Sequence, residues 1–130
     1  EKLKSDILII TTGIISKNVF ESMVFFKKTR LNPSILPISK IKDLDKNVMS
    51  YIFKKYKKIV VVEEHIRTGG LCSAVIEFAV TNNLDFNTKN IKSLSLPNKF
   101  LKGLGSKSEA LKTLKLDAKS LYENIKKFSE

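Results

Sequence analysis

The chain has 130 residues, the length of one domain with a single hydrophobic core. Hydrophobic residues make up 42% of it and charged residues 28%, which excludes a disordered chain, a collagen and a disulfide scaffold. Its single cysteine, Cys72, excludes an internal disulfide and agrees with a reducing, cytoplasmic location. No apolar run approaches the ~20 residues that a membrane helix needs, so we expect no membrane partner.

The charge is strongly basic, with 24 lysines and arginines against 13 acidic residues and a net charge of +11. Two of these cations are arginines, Arg30 and Arg67. Nucleic-acid recognition favours arginine, because its guanidinium forms paired bonds to phosphates and base edges. The lysines are spread along the whole chain, as on a solvated surface. We therefore expect no nucleic-acid partner.

The first part of the chain carries two strand patterns with a helix between them. The β-branched run before Gly13 predicts a strand near residues 6–12, buried on both faces as in a parallel sheet. Ser16 is a candidate N-cap for the helix that follows. A shorter apolar run predicts a second strand at 34–38, and Pro37 indicates an edge position, because proline cannot donate to the ladder.

The middle of the chain carries the strongest strand pattern. Asp43 and Asp45 are candidate N-caps for a helix that ends in a group of lysines. A third strand is predicted at 58–64, and it leads into two glycines, Gly69 and Gly70. Apolar residues at helical spacing then predict a third helix.

The last third predicts one more strand and two helices. Residues 91–96 alternate apolar and polar, which is typical of a strand with one wet face at the margin of a sheet. A loop is expected at 100–105. Ser106 and Glu109 match a capping box at the start of a short helix, and Asp117 is the candidate cap of the last helix.

This alternation of strands and helices predicts the fold class. It indicates an α/β protein with a three-layer α/β/α arrangement, a mostly parallel sheet of four to five strands, and helices on both faces. No linker or internal repeat interrupts the sequence. We therefore expect residues 1–130 to form one domain.

Two loops are candidate sites, because ligands of open parallel sheets bind beyond the carboxyl ends of the strands. One is Thr12-Gly13 after the first strand, and the other runs from Glu63 to Gly70 after the third. In the second loop, free N–H groups at the helix start could hold an anion, with Arg67 as an added donor. The alternative is a tight turn that merely requires glycine.

The titratable residues of the second loop give little sign of catalysis. Glu63 and Glu64 are adjacent on a strand and should point to opposite faces, so they are poor candidates for an acid–base pair. His65, the only histidine, could exchange a proton with Glu64 or form a polar contact at an interface. Cys72 near a helix start could have a lowered pKa, although a small buried residue is the favoured interpretation.

At this loop the sequence resembles a known family. Val61-Val62-Glu63-Glu64-His65, three residues, and then Gly69-Gly70-Leu71-Cys72-Ser73-Ala74-Val75 are similar to the motif of the transketolase C-terminal domain. The resemblance extends over residues 6–128. Deoxyxylulose-phosphate synthases and the beta subunits of 2-oxoacid dehydrogenases share this domain. The histidine after the paired acids and the Gly-Gly-Leu spacing favour the transketolase branch.

The resemblance implies a non-catalytic role in an enzyme that transfers two-carbon ketol units between sugar phosphates. In the family, thiamine diphosphate and Mg are held by the two preceding domains, and their Gly-Asp-Gly motif does not occur in this chain. We therefore expect no catalytic, cofactor-binding or metal-binding residue here, and no activity of the chain alone. The implied partners are the preceding pyrimidine-binding and diphosphate-binding domains or subunit, in a homodimer of the complete enzyme.

The resemblance also bears on the sheet and on the interface. It places the first strand between the second and the third, and it adds an antiparallel strand before the first, for which residues 1–5 are short. A stand-alone anion-binding or nucleotide-binding module stays an alternative. The candidate interface or anion-binding residues are Thr12, Gly13, Glu64, His65, Arg67, Gly69 and Gly70.

Overall fold

The computed structural model describes residues 6–97 and 105–130. Four strands and five α-helices follow one another as predicted, with a short 3₁₀ turn at Thr88–Asn90 that the sequence analysis did not anticipate. The strands are β1 (Ile7–Thr11), β2 (Ser34–Pro37), β3 (Lys58–Ile66) and β4 (Ile91–Leu96). The helices are α1 (Ser16–Phe26), α2 (Lys46–Lys55), α3 (Leu71–Thr81), α4 (Lys107–Thr113) and α5 (Ala118–Ser129).

The strands form one parallel sheet in the order β2-β1-β3-β4. β1 pairs with β2 on one side, through Leu8 and Ser34, and with β3 on the other, through Leu8 and Ile59. The predicted position of the first strand between the second and third is therefore confirmed. β2 is an edge strand that ends at Pro37, which agrees with the missing N–H of proline.

Helices cover both faces of the sheet and bury two clusters. Because side chains alternate along a strand, Ile9 and Val60 face α1 and α5, whereas Ile10 and Val61 face α2 and α3. All four of these side chains are fully buried. This explains the continuous apolar runs of β1 and β3, and it confirms the three-layer α/β/α fold.

Of the five candidate helix caps, three are confirmed and two are wrong, since Asp45 rather than Asp43 caps α2. The Asp45, Ser106 and Asp117 side chains accept N–H bonds at the starts of α2, α4 and α5. Ser16 is not a cap, because the backbone is already helical at Ile15 and places Ser16 inside the first turn. The Ser16 hydroxyl lies 3.3 Å from that of Thr11 instead.

Two expectations concern residues that the structure does not describe. The extra antiparallel strand concerned residues 1–5, and most of the predicted 100–105 loop also lies outside the described residues. None of the helices in the two described ranges is long and apolar enough to cross a membrane.

Candidate functional site

The candidate site lies at the carboxyl edge, the end of the sheet formed by residues 12–14 after β1, and by residues 63–70, which are the end of β3 and the turn after it. β3 has nine residues and β1 has five, and the last pair between them is Thr11 with Val62. The end of β3 therefore extends beyond β1. On its other side β3 pairs with β4, Val62 with Leu94 and Ile66 with Leu96. Between these two pairs β3 advances by four residues and β4 by two. Such a bulge redirects side chains, here those of residues 63–65.

Glu63 points inward from this bulge and caps α3. Its side chain is 1% exposed. One carboxylate oxygen accepts the N–H of Leu71 at 2.8 Å, and the other accepts the N–H of Cys72 at 2.9 Å. A carboxylate at this position satisfies two free donors and interacts favourably with the positive end of the helix dipole. The two N–H groups that the sequence offered to an external anion are therefore already occupied.

Gly70 is required because Glu63 comes so close. A Cβ atom at Gly70 would lie 1.8 Å from the Oε1 atom of Glu63 and 2.9 Å from the carbonyl oxygen of Ile66. Gly70 itself has an ordinary φ of −92°, so close approach rather than backbone conformation excludes a side chain. At Gly69 the reason is different. Its φ of +76° favours glycine, whereas a Cβ atom there would meet no other atom.

Ser73 holds the turn between β3 and α3 in shape. Its hydroxyl donates to the carbonyl oxygen of Arg67 at 2.7 Å and accepts the N–H of Gly69 at 3.1 Å. The N–H of Gly70 also donates to the Arg67 carbonyl, at 3.2 Å. The main chain of residues 67–70 is thus fixed, while the Arg67 side chain is exposed.

Glu64 and His65 do not form the proton-transfer pair considered from the sequence. Glu64 is exposed, opposite to the buried Glu63, which confirms that the two carboxylates point to different faces. Its Oε2 atom lies 3.5 Å from the Nζ of Lys107 on α4. The His65 Nδ1 atom lies 4.0 Å from Oε1 of Glu63, with 57% of the His65 side chain exposed.

The loop after β1 lies at the same edge and is bonded towards β2. The Thr12 hydroxyl donates to the carbonyl oxygen of Ile38, just beyond β2, at 2.6 Å. Gly13 has a φ of +71°, and the following Ile14 is 73% exposed. Thr12 and Gly13 therefore share the carboxyl edge with Glu64, His65 and the turn after β3.

Cys72 is a buried thiol rather than a reactive one. Its side chain is 2% exposed, which confirms the favoured interpretation of the sequence. Burial raises the pKa of Cys72, and the charge of Glu63 raises this pKa further. A hydrogen bond with Ser93 and the charge of Arg67 act in the opposite direction and are outweighed. The lowered pKa considered for a helix-start cysteine is therefore wrong.

Comparison with known proteins identifies the domain. A family model described as the transketolase C-terminal domain matches residues 1–121. The chain belongs to the transketolase C-terminal domain family. A solved structure described as a split gene transketolase, inactive beta4 tetramer, has a TM-score of 0.79 and 19% identity, and the match covers 97% of this chain and 40% of that one. At this identity it shows the shared fold.

Several curated relatives share one name. The chain is 28%, 30% and 32% identical to 1-deoxy-D-xylulose-5-phosphate synthases of Cytophaga hutchinsonii, Parabacteroides distasonis and Mannheimia succiniciproducens. These alignments cover 94–95% of this chain and 18–19% of the relatives. The chain thus spans about a fifth of the length of the synthases it matches.

In the part of the chain that the structure describes, neither the acidic side chains nor the start of α3 fits a metal ion or a diphosphate. Among the described residues there is no group of three or more His, Cys, Asp or Glu side chains that could hold a metal ion. The start of α3, which would suit a diphosphate, is filled by Glu63.

Three features near the carboxyl edge were not predicted from the sequence. Ser73 lay within the family motif but had no assigned role, and a serine three residues after Gly70 gives little local signal. The Glu64–Lys107 pair joins residues far apart in the sequence and could not be inferred from spacing. Glu63 was considered only as an acid, although a carboxylate that ends a buried strand before a helix start is a possible cap.

Proposed function

We propose that this chain is the C-terminal, non-catalytic domain or subunit of a 1-deoxy-D-xylulose-5-phosphate synthase. The observation that carries the proposal is the 28–32% identity to three such synthases along 94–95% of the chain. The chemistry, the thiamine diphosphate and the Mg of the complete enzyme would belong to the preceding domains. The role of this domain is to pack on them and to support a homodimer.

A transketolase that moves two-carbon ketol units between sugar phosphates is the second candidate. His65 directly after two acids and the Gly-Gly-Leu at residues 69–71 resemble the transketolase motif and favour it. A stand-alone anion-binding module at the start of α3 has less support, because Glu63 occupies the two N–H groups it would use.

Complementation with the full-length gene that encodes this chain separates the two enzymes. We expect it to rescue a bacterial strain that lacks its own 1-deoxy-D-xylulose-5-phosphate synthase and to restore that product in extracts, measured by mass spectrometry. Rescue of a transketolase-deficient strain alone would select the second candidate, and rescue of neither would contradict both. Rescue would also agree with the cytoplasmic location that the free thiol of Cys72 supports.

Calorimetry tests the non-catalytic role. Titration of this chain with thiamine diphosphate and Mg should release no specific heat, because its described residues offer neither a metal-binding group nor a free helix start. The complete enzyme is the positive control. A micromolar affinity of the isolated chain would overturn the assignment of the cofactor to other domains.

The carboxyl edge is the surface that we propose packs on the preceding pyrimidine-binding domain. Two large apolar side chains are exposed there, Ile14 at 73% and Ile66 at 36%. They stand among the polar residues Thr12, Glu64 and His65. Apolar side chains surrounded by polar ones are typical of a protein–protein interface.

Hydrogen–deuterium exchange tests this orientation. Peptides that cover residues 12–15 and 64–70 should exchange more slowly in the complete enzyme than in the isolated chain. Residues 82–87, which follow α3 at the opposite end of the sheet, are the internal control and should not change. Protection of the control alone would place the interface at the other end of the sheet.

A further inference from the structure

A groove along the outer side of β4 collects three cations from three different elements. Arg67 comes from the turn after β3, Lys92 from β4, and Lys115 from the end of α4. The groove has a volume of about 490 Å³. This volume is within the range of small-molecule sites, roughly 300–1,000 Å³.

The three cations of this groove have no counter-charge in the described part of the chain. Each is exposed, and none takes part in an ion pair among the described residues. The described residues that line the groove include no carboxylate. Glu64, which lies in β3 three residues before Arg67, is instead paired with Lys107.

The rest of the groove has an apolar wall and one hydroxyl residue. Leu94 and Leu96 of β4 add apolar surface on the sheet face that also carries Lys92, and Thr68 lines the groove beside Arg67. The side chains of Ser93 and Ser95 alternate with these and face α3, where Ser93 bonds Cys72. The lining thus combines positive charge, one hydroxyl and apolar contact in one small space.

Lys115 is held in a backbone conformation that its side chain does not favour. It follows α4 with a φ of +59°, where helices usually end in glycine. Its N–H donates to the Lys112 carbonyl at 3.1 Å, and the next N–H, of Leu116, donates to the Leu111 carbonyl at 2.8 Å. Lysine is less favourable than glycine in this conformation, so replacing Lys115 by glycine removes the charge without a cost to the fold.

We propose that this groove binds the phosphate group of a small phosphate ester. Arg67 would bond two phosphate oxygens with its planar guanidinium, and Lys92 and Lys115 would balance the remaining charge. The size of the groove favours a small molecule over a nucleic-acid strand, whose backbone needs a long basic track. The proposal differs from an anion site at the start of α3, which Glu63 fills.

Titration with inorganic phosphate at constant ionic strength, followed by amide NMR shifts, tests the site. We expect saturable shifts at residues 67, 92–95 and 115. Arg67→Ala should weaken binding at least about fivefold, as expected for the loss of a charge-assisted bond. Arg30→Ala, which removes the other arginine from the α1–β2 loop, is the matched control and should change the affinity less than about twofold.

A second variant separates binding from folding. Lys115→Gly should weaken phosphate binding and at the same time raise the melting temperature by about 3 °C, because glycine accepts the positive φ without strain. Glycerol 3-phosphate and AMP then distinguish a polyol phosphate from a nucleotide as the ester. Equal losses in Arg67→Ala and Arg30→Ala, no saturable shifts, or binding of a labelled single-stranded RNA without phosphate binding would each overturn the proposal.

Discussion

The first turns of α2 and α3 are capped in two different ways. Both helices leave N–H groups without partners in their first turn. At α2, Asp45 accepts the N–H of Val48, three residues later, from an exposed position. At α3, the cap is Glu63, which lies eight residues before Leu71, on a strand, and is 1% exposed. The first cap is local and readable from spacing, whereas the second exists only after β3 and α3 have packed together.

This difference determines how much each cap should matter. Water can replace an exposed cap, so its loss is partly compensated. Leu71 and Cys72 are buried residues, at 0% and 2% exposure, so their N–H groups lose a buried acceptor when the carboxylate is removed. We therefore expect the two helix starts to respond very differently to substitution.

Gly70→Ala should have the largest effect. The new Cβ would overlap Oε1 of Glu63 and would also approach the Ile66 carbonyl oxygen at 2.9 Å, so moving the flexible carboxylate does not remove the whole clash. We expect a loss of about 3–4 kcal/mol in the free energy of unfolding, measured in urea. Gly69→Ala is the control, with a loss of about 1 kcal/mol from its positive φ alone. Equal losses would contradict the close-approach explanation.

Glu63→Ala should have the next largest effect, about 2–3 kcal/mol, because two buried N–H groups lose their acceptor. Combined with Gly70→Ala, it should lose clearly less than the sum of the two single variants, since the clash at 1.8 Å disappears with the carboxylate. Urea unfolding of the four proteins gives this coupling. Simple additivity would show that Glu63 and Gly70 do not depend on each other.

Asp45→Ala should cost about 1 kcal/mol, the usual value for an exposed N-cap. The matched variant Asp45→Asn keeps an acceptor and should lose only a fraction of that. The same urea measurement applies. A loss at α2 as large as that of Glu63→Ala would remove the distinction between local and long-range caps.

Lys107→Ala should have the smallest effect. The pair with Glu64 spans 3.5 Å between side chains that are 56% and 32% exposed. Exposed pairs of this kind contribute at most about 1 kcal/mol and usually less, so we expect a loss of about 0.5 kcal/mol. The free energy of unfolding is measured in urea. A loss clearly larger than this would indicate that Lys107 contributes to the packing of α4 on the carboxyl edge.

The strands and local caps could be predicted because their causes are local. The apolar runs of β1 and β3 reflect burial on both faces, and Ser106 and Asp117 act on N–H groups three residues ahead. The candidate site was predicted in position, since Gly69 and Gly70 mark the turn after β3. The hydrogen bonds within the site could not be predicted, because the contacts of Glu63 and Ser73 depend on how the bulged end of β3 packs against α3.

The pairing of α1 with α5 has a consequence for the order in which the chain can fold. The Asn18 amide donates to the Leu116 carbonyl across 98 residues, and the Lys58 Nζ donates to the Phe128 carbonyl across 70. Leu121 and Ile125 of α5 complete the cluster that contains Val60. During synthesis on the ribosome, the sheet face that α1 and α5 share therefore stays only partly covered until α5 has emerged, and the domain completes its folding late rather than element by element.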